Sequence, residues 1–342
     1  MLNLLSKQIE KYRQYKKHLR ENIRYTIELN KFAINELKKD KIIRSCPICN
    51  IYDSIFIFKA PVCEFVKCKK CGLVYAKNIF SEEGFQNFYE NNKYYQNGWK
   101  RDYAVLLKKK KENELSKNPR IINKILKLSK ERNKCLDIGC GFGEILFHLK
   151  PYFKSVEGVE LNVFTSKVGA ELFDIKIHNK DLTKLKLKKS SYDCIILSQV
   201  IEHLDNLDLF YEINRILKPG GIVYIGCPYM DSLSMKFLKN KHIHVHSIGH
   251  INMFNFSSFQ KFSEKYKFKI KSIETDNCLD IWFNDVIGLM YKKQFIHRFN
   301  DIPFLNPINV GFFLFSDWFF DKTKILSKYR LGSYLEVVLE KQ

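Results

Sequence analysis

CLDIGCGFGEIL, residues 135–146, is the stretch that decides the fold. An apolar run ends at Ile138, then Gly139, Gly141 and Gly143 follow at alternate positions before a helical pattern begins. Glycines in such a turn let the backbone bend tightly and approach a ligand with no Cβ in the way. The helix that follows presents unbonded N–H groups at its N-terminus. The stretch therefore predicts a strand, a ligand-binding loop and a helix.

The same alternation of strand and helix continues along the chain. Further apolar strand runs are SVEGVEL, YDCIILSQ and IVYIGCP, with helical patterns between them, and KFKIKSIETD and SYLEVVLEK read as two closing strands. Strands that alternate with helices predict an α/β fold with a Rossmann-like parallel sheet and helices on both faces. Glu160 ends the second run, seventeen residues past Gly143. A Rossmann-type fold places there the carboxylate that bonds ribose hydroxyls.

The glycine spacing is G-x-G-x-G, not the G-x-G-x-x-G of dinucleotide-binding folds, and Asp137 precedes the first glycine by two residues. Here the chain resembles the class I methyltransferases that depend on S-adenosylmethionine (SAM), in the small-molecule branch related to ubiquinone-biosynthesis methyltransferases. LDIGCGFG, YDCIILSQVIEHL, RILKPGGIVYIGCP and GHINMFNFSSFQKF resemble family segments in the family's order. The resemblance covers about residues 131–275 and the last strand.

The resemblance implies a role for each residue of the cofactor site. Asp137 and the three glycines would cradle the methionine part of SAM, and Glu160 would clasp the ribose. Asp181 would lie near the adenine amino group, although a plain loop acid is the alternative. Ser198 and Gln199 would line the pocket at the end of the fourth strand.

Two C-x-x-C pairs, Cys46/Cys49 and Cys68/Cys71, are separated by eighteen residues. This is the spacing of a tetrahedral four-cysteine zinc site, with iron as the competing metal. Four protein ligands leave no open position, so we expect a structural zinc. Residues 46–76 are predicted to form a zinc ribbon.

The remaining ranges complete the predicted organisation. Residues 1–45 read as a helical arm, 77–130 as a helical linker, and 131–342 as the SAM-dependent domain with an apolar insertion at about 281–330. The aromatic stretch 304–320 is expected to pack on the core, and a membrane-resting surface is the alternative. We find no signal peptide and no spanning segment, and six scattered cysteines fit a reducing compartment. The expected location is cytoplasmic, with peripheral contact at the inner membrane face as a variant.

Histidines are the candidates for a catalytic base, because the imidazole titrates near neutral pH. His203 follows the fourth strand, and His250 lies in the GHINMFN segment. For each of them the alternative is a hydrogen-bonded structural histidine. His242, His244 and His246 recur at every second residue, which would place them on one strand face as a minor candidate for a second metal site.

Methyl transfer to a small-molecule acceptor is the function that the motifs predict. Methyltransferases of bacterial surface-glycan gene clusters resemble this arrangement, a CGLVYA-type ribbon followed by a SAM core, which implies a sugar or glycan hydroxyl. The alternative is an RNA methyltransferase with a zinc-ribbon RNA-binding module, but no N-P-P-Y or D-P-P-Y signature follows the fourth strand. The formal net charge of +21 comes from lysines spread along the chain, so it argues weakly for nucleic acid. A binding protein that has lost chemistry is disfavoured by the intact loop and Glu160. The acceptor atom and the oligomeric state stay open.

Overall fold

The computed structural model describes residues 34, 42–60, 62–81, 83–85, 93–111, 115, 119–242, 244–245, 249–276 and 325–342. Nearly all of the predicted arm and of the apolar insertion, including 304–320, lies outside the described residues.

A small antiparallel sheet contains the two C-x-x-C pairs. Its strands are β2 (Ser54–Lys59), β3 (Glu64–Cys68) and β4 (Val74–Ala76), and the short strands β1 (Ile42–Ile43) and β5 (Asn78–Ile79) pair beside it. The fourth strand of this sheet is β11 (Asn252–Met253), which lies far along the chain and pairs with β4 through Asn252↔Tyr75 and Met253↔Val74. The ribbon is therefore hydrogen-bonded to the C-terminal part of the protein.

The large sheet has seven strands in the order β12-β13-β10-β9-β6-β7-β8. They are β6 (Lys134–Ile138), β7 (Ser155–Val159), β8 (Lys176–His178), β9 (Tyr192–Ser198), β10 (Leu217–Pro228), β12 (Phe268–Thr275) and β13 (Tyr334–Lys341). Strands β6 to β10 are mutually parallel, whereas β13 is antiparallel to β10 and β12. The predicted α/β fold and both closing strands are confirmed.

The described residues also form α-helices, of which the third, fourth and fifth connect successive parallel strands. They are α1 (Lys93–Lys111), α2 (Pro119–Leu128), α3 (Glu144–Leu149), α4 (Val163–Phe173), α5 (Leu209–Ile216), α6 (Leu233–Leu238), α7 (Phe256–Lys265) and α8 (Ile325–Lys328). Helices α1 and α2 occupy much of the predicted linker range. In the part of the chain that the structure describes, no helix is long and apolar enough to cross a membrane.

One apolar core joins the ribbon to the large sheet. Buried side chains of the ribbon, including Leu73 and Tyr75, belong to the same cluster as Ile195 of β9 and Phe259 of α7. Burying each such side chain contributes roughly 1.5–3 kcal/mol. The two sheets therefore pack on each other, and β11, a strand of the small sheet, comes from the part of the chain that follows β10.

The strand order reverses between β6 and β9. In an open α/β sheet, the carboxyl ends of the strands leave a crevice at this point, where ligands bind. The 139–143 loop follows β6 and the 199–203 segment follows β9, so both predicted halves of the site meet here.

Candidate active site

The glycine loop adopts a backbone that other residues rarely take. Gly139, Gly141 and Gly143 have φ of +69°, +55° and +85°. A Cβ on Gly139 would lie 2.6 Å from Cγ2 of Val200, so the loop touches the segment that follows β9. A Cβ on Gly141 would meet no atom within 4 Å. The loop is thus packed at its first glycine and opens at its second onto space that a ligand can fill.

Glu160 links the loop to the end of β7. Its Oε2 accepts a hydrogen bond from the Gly141 N–H at 2.9 Å, and its Oε1 accepts one from the Asn162 N–H at 2.8 Å. The side chain is half-buried. Because a carboxylate has about four lone-pair sites, two sites remain after these bonds. The carboxylate is fixed in orientation and can still accept from a pair of hydroxyls.

Asp137, the second-last residue of β6, lies close enough to this carboxylate for the two charges to interact. Its side chain is buried, and burial raises its pKa well above the usual range, with the charge of Glu160 acting in the same direction. Two neighbouring acids favour a cationic ligand, since its charge relieves their repulsion. SAM carries a sulfonium and an ammonium group and fits this requirement.

Three other predicted residues have defined local contacts near the carboxyl ends of β8 and β9. Asp181 caps the 3₁₀ turn Leu182–Leu185 and accepts a hydrogen bond from the Thr183 N–H at 2.8 Å. Ser198 ends β9 and hydrogen-bonds Tyr334. Gln199 is exposed, has φ +60°, and donates its N–H to the Gly226 carbonyl at 2.8 Å.

An aromatic group beside the loop was not predicted from the sequence. The ring of Phe142 lies 6.1 Å from that of Tyr103 on α1 and 6.2 Å from that of Phe164 on α4. Phe142 stands inside the glycine motif, which was the available signal, but its partners lie on distant segments. The cluster ties α1 and α4 to the loop.

The two candidate bases meet. The rings of His203 and His250 lie 4.8 Å apart between centroids and are nearly perpendicular. Burial lowers the pKa of His203 to about 4, against a smaller raising effect of its hydrogen bond with the Gly249 backbone. His250 Nδ1 is 2.9 Å from the His244 carbonyl oxygen. Both rings are thus held near the end of β9.

Glu202 completes this group. Its side chain is fully buried, and neither carboxylate oxygen has a hydrogen-bond partner among the described residues. Burial raises the pKa of Glu202 to about 8. One ligand atom from each of Glu202, His203 and His250 lies within 4.8 Å of the others.

The expectation that His242, His244 and His246 share one strand face was wrong. His242 and His244 lie in turns, and the His244 N–H donates to His242 Nδ1 at 3.1 Å, which a strand would not permit. His242 Nε2 lies 2.9 Å from Ser234 Oγ. His246 lies outside the described residues. The alternation of histidines therefore reflects a compact loop and not a strand.

Two polar residues that the sequence did not single out hold this region together. Asn252 donates from Nδ2 to the Leu204 carbonyl at 2.7 Å and to the Ile201 carbonyl at 3.2 Å. Arg44, two residues before the ribbon, donates to the carbonyls of Ala76 in the ribbon and of Asp205 and Ile251 at 2.7–2.9 Å. The ribbon is therefore bonded to the turn that carries Glu202 and His203.

The four cysteines of the two pairs converge as predicted. All four sulfurs lie within 4.8 Å of one another, and those of Cys46 and Cys71 are 3.5 Å apart. Tetrahedral zinc with Zn–S bonds of about 2.3 Å places sulfurs about 3.8 Å apart. The donor set and its spacing fit zinc.

The backbone explains why the two knuckles match. The N–H of Asn50 bonds the Cys46 carbonyl at 2.7 Å, and the N–H of Gly72 bonds the Cys68 carbonyl at 2.9 Å. Both residues have positive φ, +55° and +77°, and a Cβ on Gly72 would lie 2.6 Å from Ser257 Oγ. Each knuckle thus needs a left-handed residue four places after its first cysteine.

Comparison with known proteins identifies the domain that contains the crevice. Residues 109–273 match the family described as a methyltransferase domain. With the strand order and the glycine loop, this match shows that the chain contains a class I SAM-dependent methyltransferase domain.

Distant relatives share this region. A sterol 4-C-methyltransferase of Caenorhabditis elegans is 28% identical over 166 residues, which cover 45% of this chain and 49% of the relative. A ubiquinone biosynthesis O-methyltransferase of Rickettsia typhi is 27% identical over 187 residues, 53% of this chain and 71% of that protein. This chain thus spans about half the length of the nematode relative. A solved SAM dependent methyltransferase from Archaeoglobus fulgidus is 18% identical, with a TM-score of 0.45 over 70% of this chain and 100% of that one.

Proposed function

We propose that the protein transfers the methyl group of SAM to a hydroxyl of a small-molecule acceptor, a sugar or a glycan. The observation that supports SAM as the cofactor is the orientation of Glu160, whose two oxygens are anchored by backbone N–H groups of the segments that follow β6 and β7. In this proposal Glu160 accepts from the ribose hydroxyls, and Gly141 leaves room for the cofactor next to its backbone. Asp137 faces the positive charge of the methionine part.

The other cofactor contacts are proposed from the order of the motifs. In this proposal Asp181, at the start of a 3₁₀ turn after β8, faces the adenine, and Ser198 at the end of β9 and Gln199 after it lie at the methyl end. Gly139 and Gly143 shape the turn through their left-handed backbone. None of these residues needs to react, because methyl transfer is a displacement that depends chiefly on positioning.

On the acceptor side, His203 and His250 are the residues that we expect to act on the hydroxyl. His203 follows the fourth parallel strand, at the edge where this fold binds its ligands, and the His250 ring lies against it. Burial keeps His203 neutral at pH 7, so its ring can accept a hydrogen bond from a hydroxyl. A positioned base contributes roughly 10²–10⁴-fold to a rate.

Two arguments support an oxygen of a sugar as the acceptor. The Rickettsia relative is an O-methyltransferase by name, and the ribbon followed by a SAM core resembles methyltransferases of surface-glycan gene clusters. The four-cysteine site is proposed to hold one structural zinc, which fixes β3 and β4 and, through β11, the segment that carries His250.

Transfer of a labelled methyl group tests the proposal. The purified protein is incubated with methyl-labelled SAM and, separately, with nucleotide sugars, defined oligosaccharides and structured RNA. We expect label in a saccharide, and loss of that label in His203→Ala with SAM affinity retained. Label in RNA alone would favour the zinc-ribbon RNA methyltransferase, and label in none of the saccharides would contradict the glycan acceptor.

A further inference from the structure

Glu202 is a fully buried acid, and buried side-chain polar groups are rarely left without a hydrogen-bond partner. Both of its oxygens are inaccessible and lack a hydrogen-bond donor among the described residues. Burying an ionised carboxylate without compensation costs several kcal/mol, so such a group is ordinarily paired or bound to a metal. Ion pairs elsewhere in the domain show the usual arrangement: the buried Asp193 is bonded to Lys218 and to the backbone at Lys134.

The neighbours of Glu202 are metal ligands, not cations. The nearest ligand atoms of Glu202, His203 and His250 fall within 4.8 Å of one another. Metals of the first transition row bond nitrogen and oxygen at about 2.0–2.2 Å, which places ligand atoms about 3–4 Å apart. The 4.8 Å limit lies about 1 Å beyond that spacing, so ligation of an ion requires a small inward movement of the side chains.

The hydrogen bonds around the cluster orient it for ligation. The His250 Nδ1–H donates to the His244 carbonyl at 2.9 Å, so the lone pair of the neutral ring is on Nε2. A ligating histidine generally donates its other nitrogen to a carbonyl or a carboxylate in this way. The His250 ring also stacks on His244 with 5.4 Å between centroids, which limits its rotation.

The backbone frame fixes the distance between the two ligand-bearing segments. The Ile251 N–H donates to the Glu202 carbonyl at 2.9 Å, and Asn252 bonds the carbonyls of Ile201 and Leu204. His250 and the Glu202–His203 pair are thus tied by three hydrogen bonds within a few residues. A site on such a frame is preorganised for an ion.

We propose that Glu202, His203 and His250 bind one divalent transition-metal ion, distinct from the zinc of the four cysteines. Two imidazoles and a carboxylate suit zinc, ferrous iron or manganese, whereas the thiolates of the ribbon select zinc. An ion held by the two imidazoles occupies the lone pairs that a free base would use, so in the metal-bound protein His203 and His250 act on the acceptor hydroxyl through the ion, which lowers the pKa of that hydroxyl. That part rests on the proposed function, whereas ion binding does not.

Manganese distinguishes this site from the ribbon, because it prefers nitrogen and oxygen to sulfur ligands. The protein, with its ribbon zinc in place, is titrated with Mn²⁺, and free Mn²⁺ is measured by electron paramagnetic resonance. We expect one bound equivalent. Glu202→Gln and His250→Ala should each weaken Mn²⁺ binding at least about hundredfold, since loss of even an outer-shell partner costs about 10–100-fold.

Glu157→Gln is the matched control, because Glu157 is also a buried glutamate but is bonded to His178 and Tyr192 away from the cluster. It should bind Mn²⁺ as the unaltered protein does. SAM affinity and thermal unfolding are measured for every variant, so that a failure to fold is recognised. The proposal is overturned if the unaltered protein binds no Mn²⁺, Zn²⁺ or Fe²⁺ beyond the ribbon zinc, or if the folded Glu202→Gln variant binds Mn²⁺ normally. Those results would leave Glu202 as a buried neutral acid. They would not decide the proposed methyl transfer, which is tested separately by the transfer of label from SAM.

Discussion

Replacing Glu160 by alanine should weaken SAM binding more than it weakens the fold. The carboxylate now bonds the N–H groups of Gly141 and Asn162, and two further acceptor sites remain for the ribose hydroxyls. Hydrogen bonds to a charged group contribute about 1.5–3 kcal/mol each. Water offsets part of that loss in a half-buried site. We expect a loss of at least 1.4 kcal/mol, about tenfold, and up to roughly hundredfold.

Isothermal titration calorimetry with SAM measures this loss directly. Glu157→Ala, on the strand that Glu160 directly follows, is the control, since its carboxylate bonds His178 and Tyr192 and not the loop. It should lower the unfolding temperature while SAM affinity stays within about twofold of the unaltered protein. An unchanged affinity in Glu160→Ala would refute the assignment of the ribose contact. Equal losses in both variants would show a general loosening of the domain.

Three further changes test other parts of the account. Cys68→Ser should remove the single equivalent of zinc measured by mass spectrometry. The control is Cys63→Ser, which alters a buried ribbon cysteine outside the cluster and should retain the zinc. Zinc retained in Cys68→Ser would mean that the proposed ligands are wrong. Gly141→Ala adds a Cβ that meets no protein atom within 4 Å, but its φ of +55° should lower the free energy of unfolding by about 1–2 kcal/mol. The free energy of SAM binding should weaken by more than this amount, because the Cβ enters the space of the cofactor. A smaller loss of SAM binding would place the cofactor elsewhere. Asp276→Asn tests a buried acid whose pKa is raised from 3.8 to about 6 by burial. The protonated Asp276 therefore stabilises the fold at low pH, and this contribution is lost as the pH rises from about 4 through 6. The free energy of unfolding of the variant, relative to that of the original protein, should rise by about 2 kcal/mol between pH 4.5 and pH 7.5, as measured by denaturant unfolding. A difference that does not change with pH would contradict the raised pKa of Asp276.

The fold was accessible from the sequence because its signals are local. The glycine loop, the apolar strand runs and the acid at the end of β7 each read from a few consecutive residues, and the seven-stranded sheet has the predicted closing strands β12 and β13. The two C-x-x-C pairs were equally local, and their sulfurs converge as the spacing indicated.

The contacts between the ribbon and the domain could not be predicted in the same way. Arg44 bonds a carbonyl 207 residues further along the chain, and its local sequence carries no sign of that partner. The pairing of β11 with β4 has the same character, since two-residue strands have no periodicity to detect. The prediction from the histidine alternation was wrong for the opposite reason. A period of two is present in the sequence, but the segment turns after His242.

A crystal structure of the complex with S-adenosylhomocysteine tests the central claim most directly. We predict that the nucleoside lies in the crevice between β6 and β9, with both ribose hydroxyls within about 3 Å of the Glu160 carboxylate. We also predict that the homocysteine part crosses the open face of Gly141. A ligand bound elsewhere, or one whose ribose turns away from Glu160, would contradict the account.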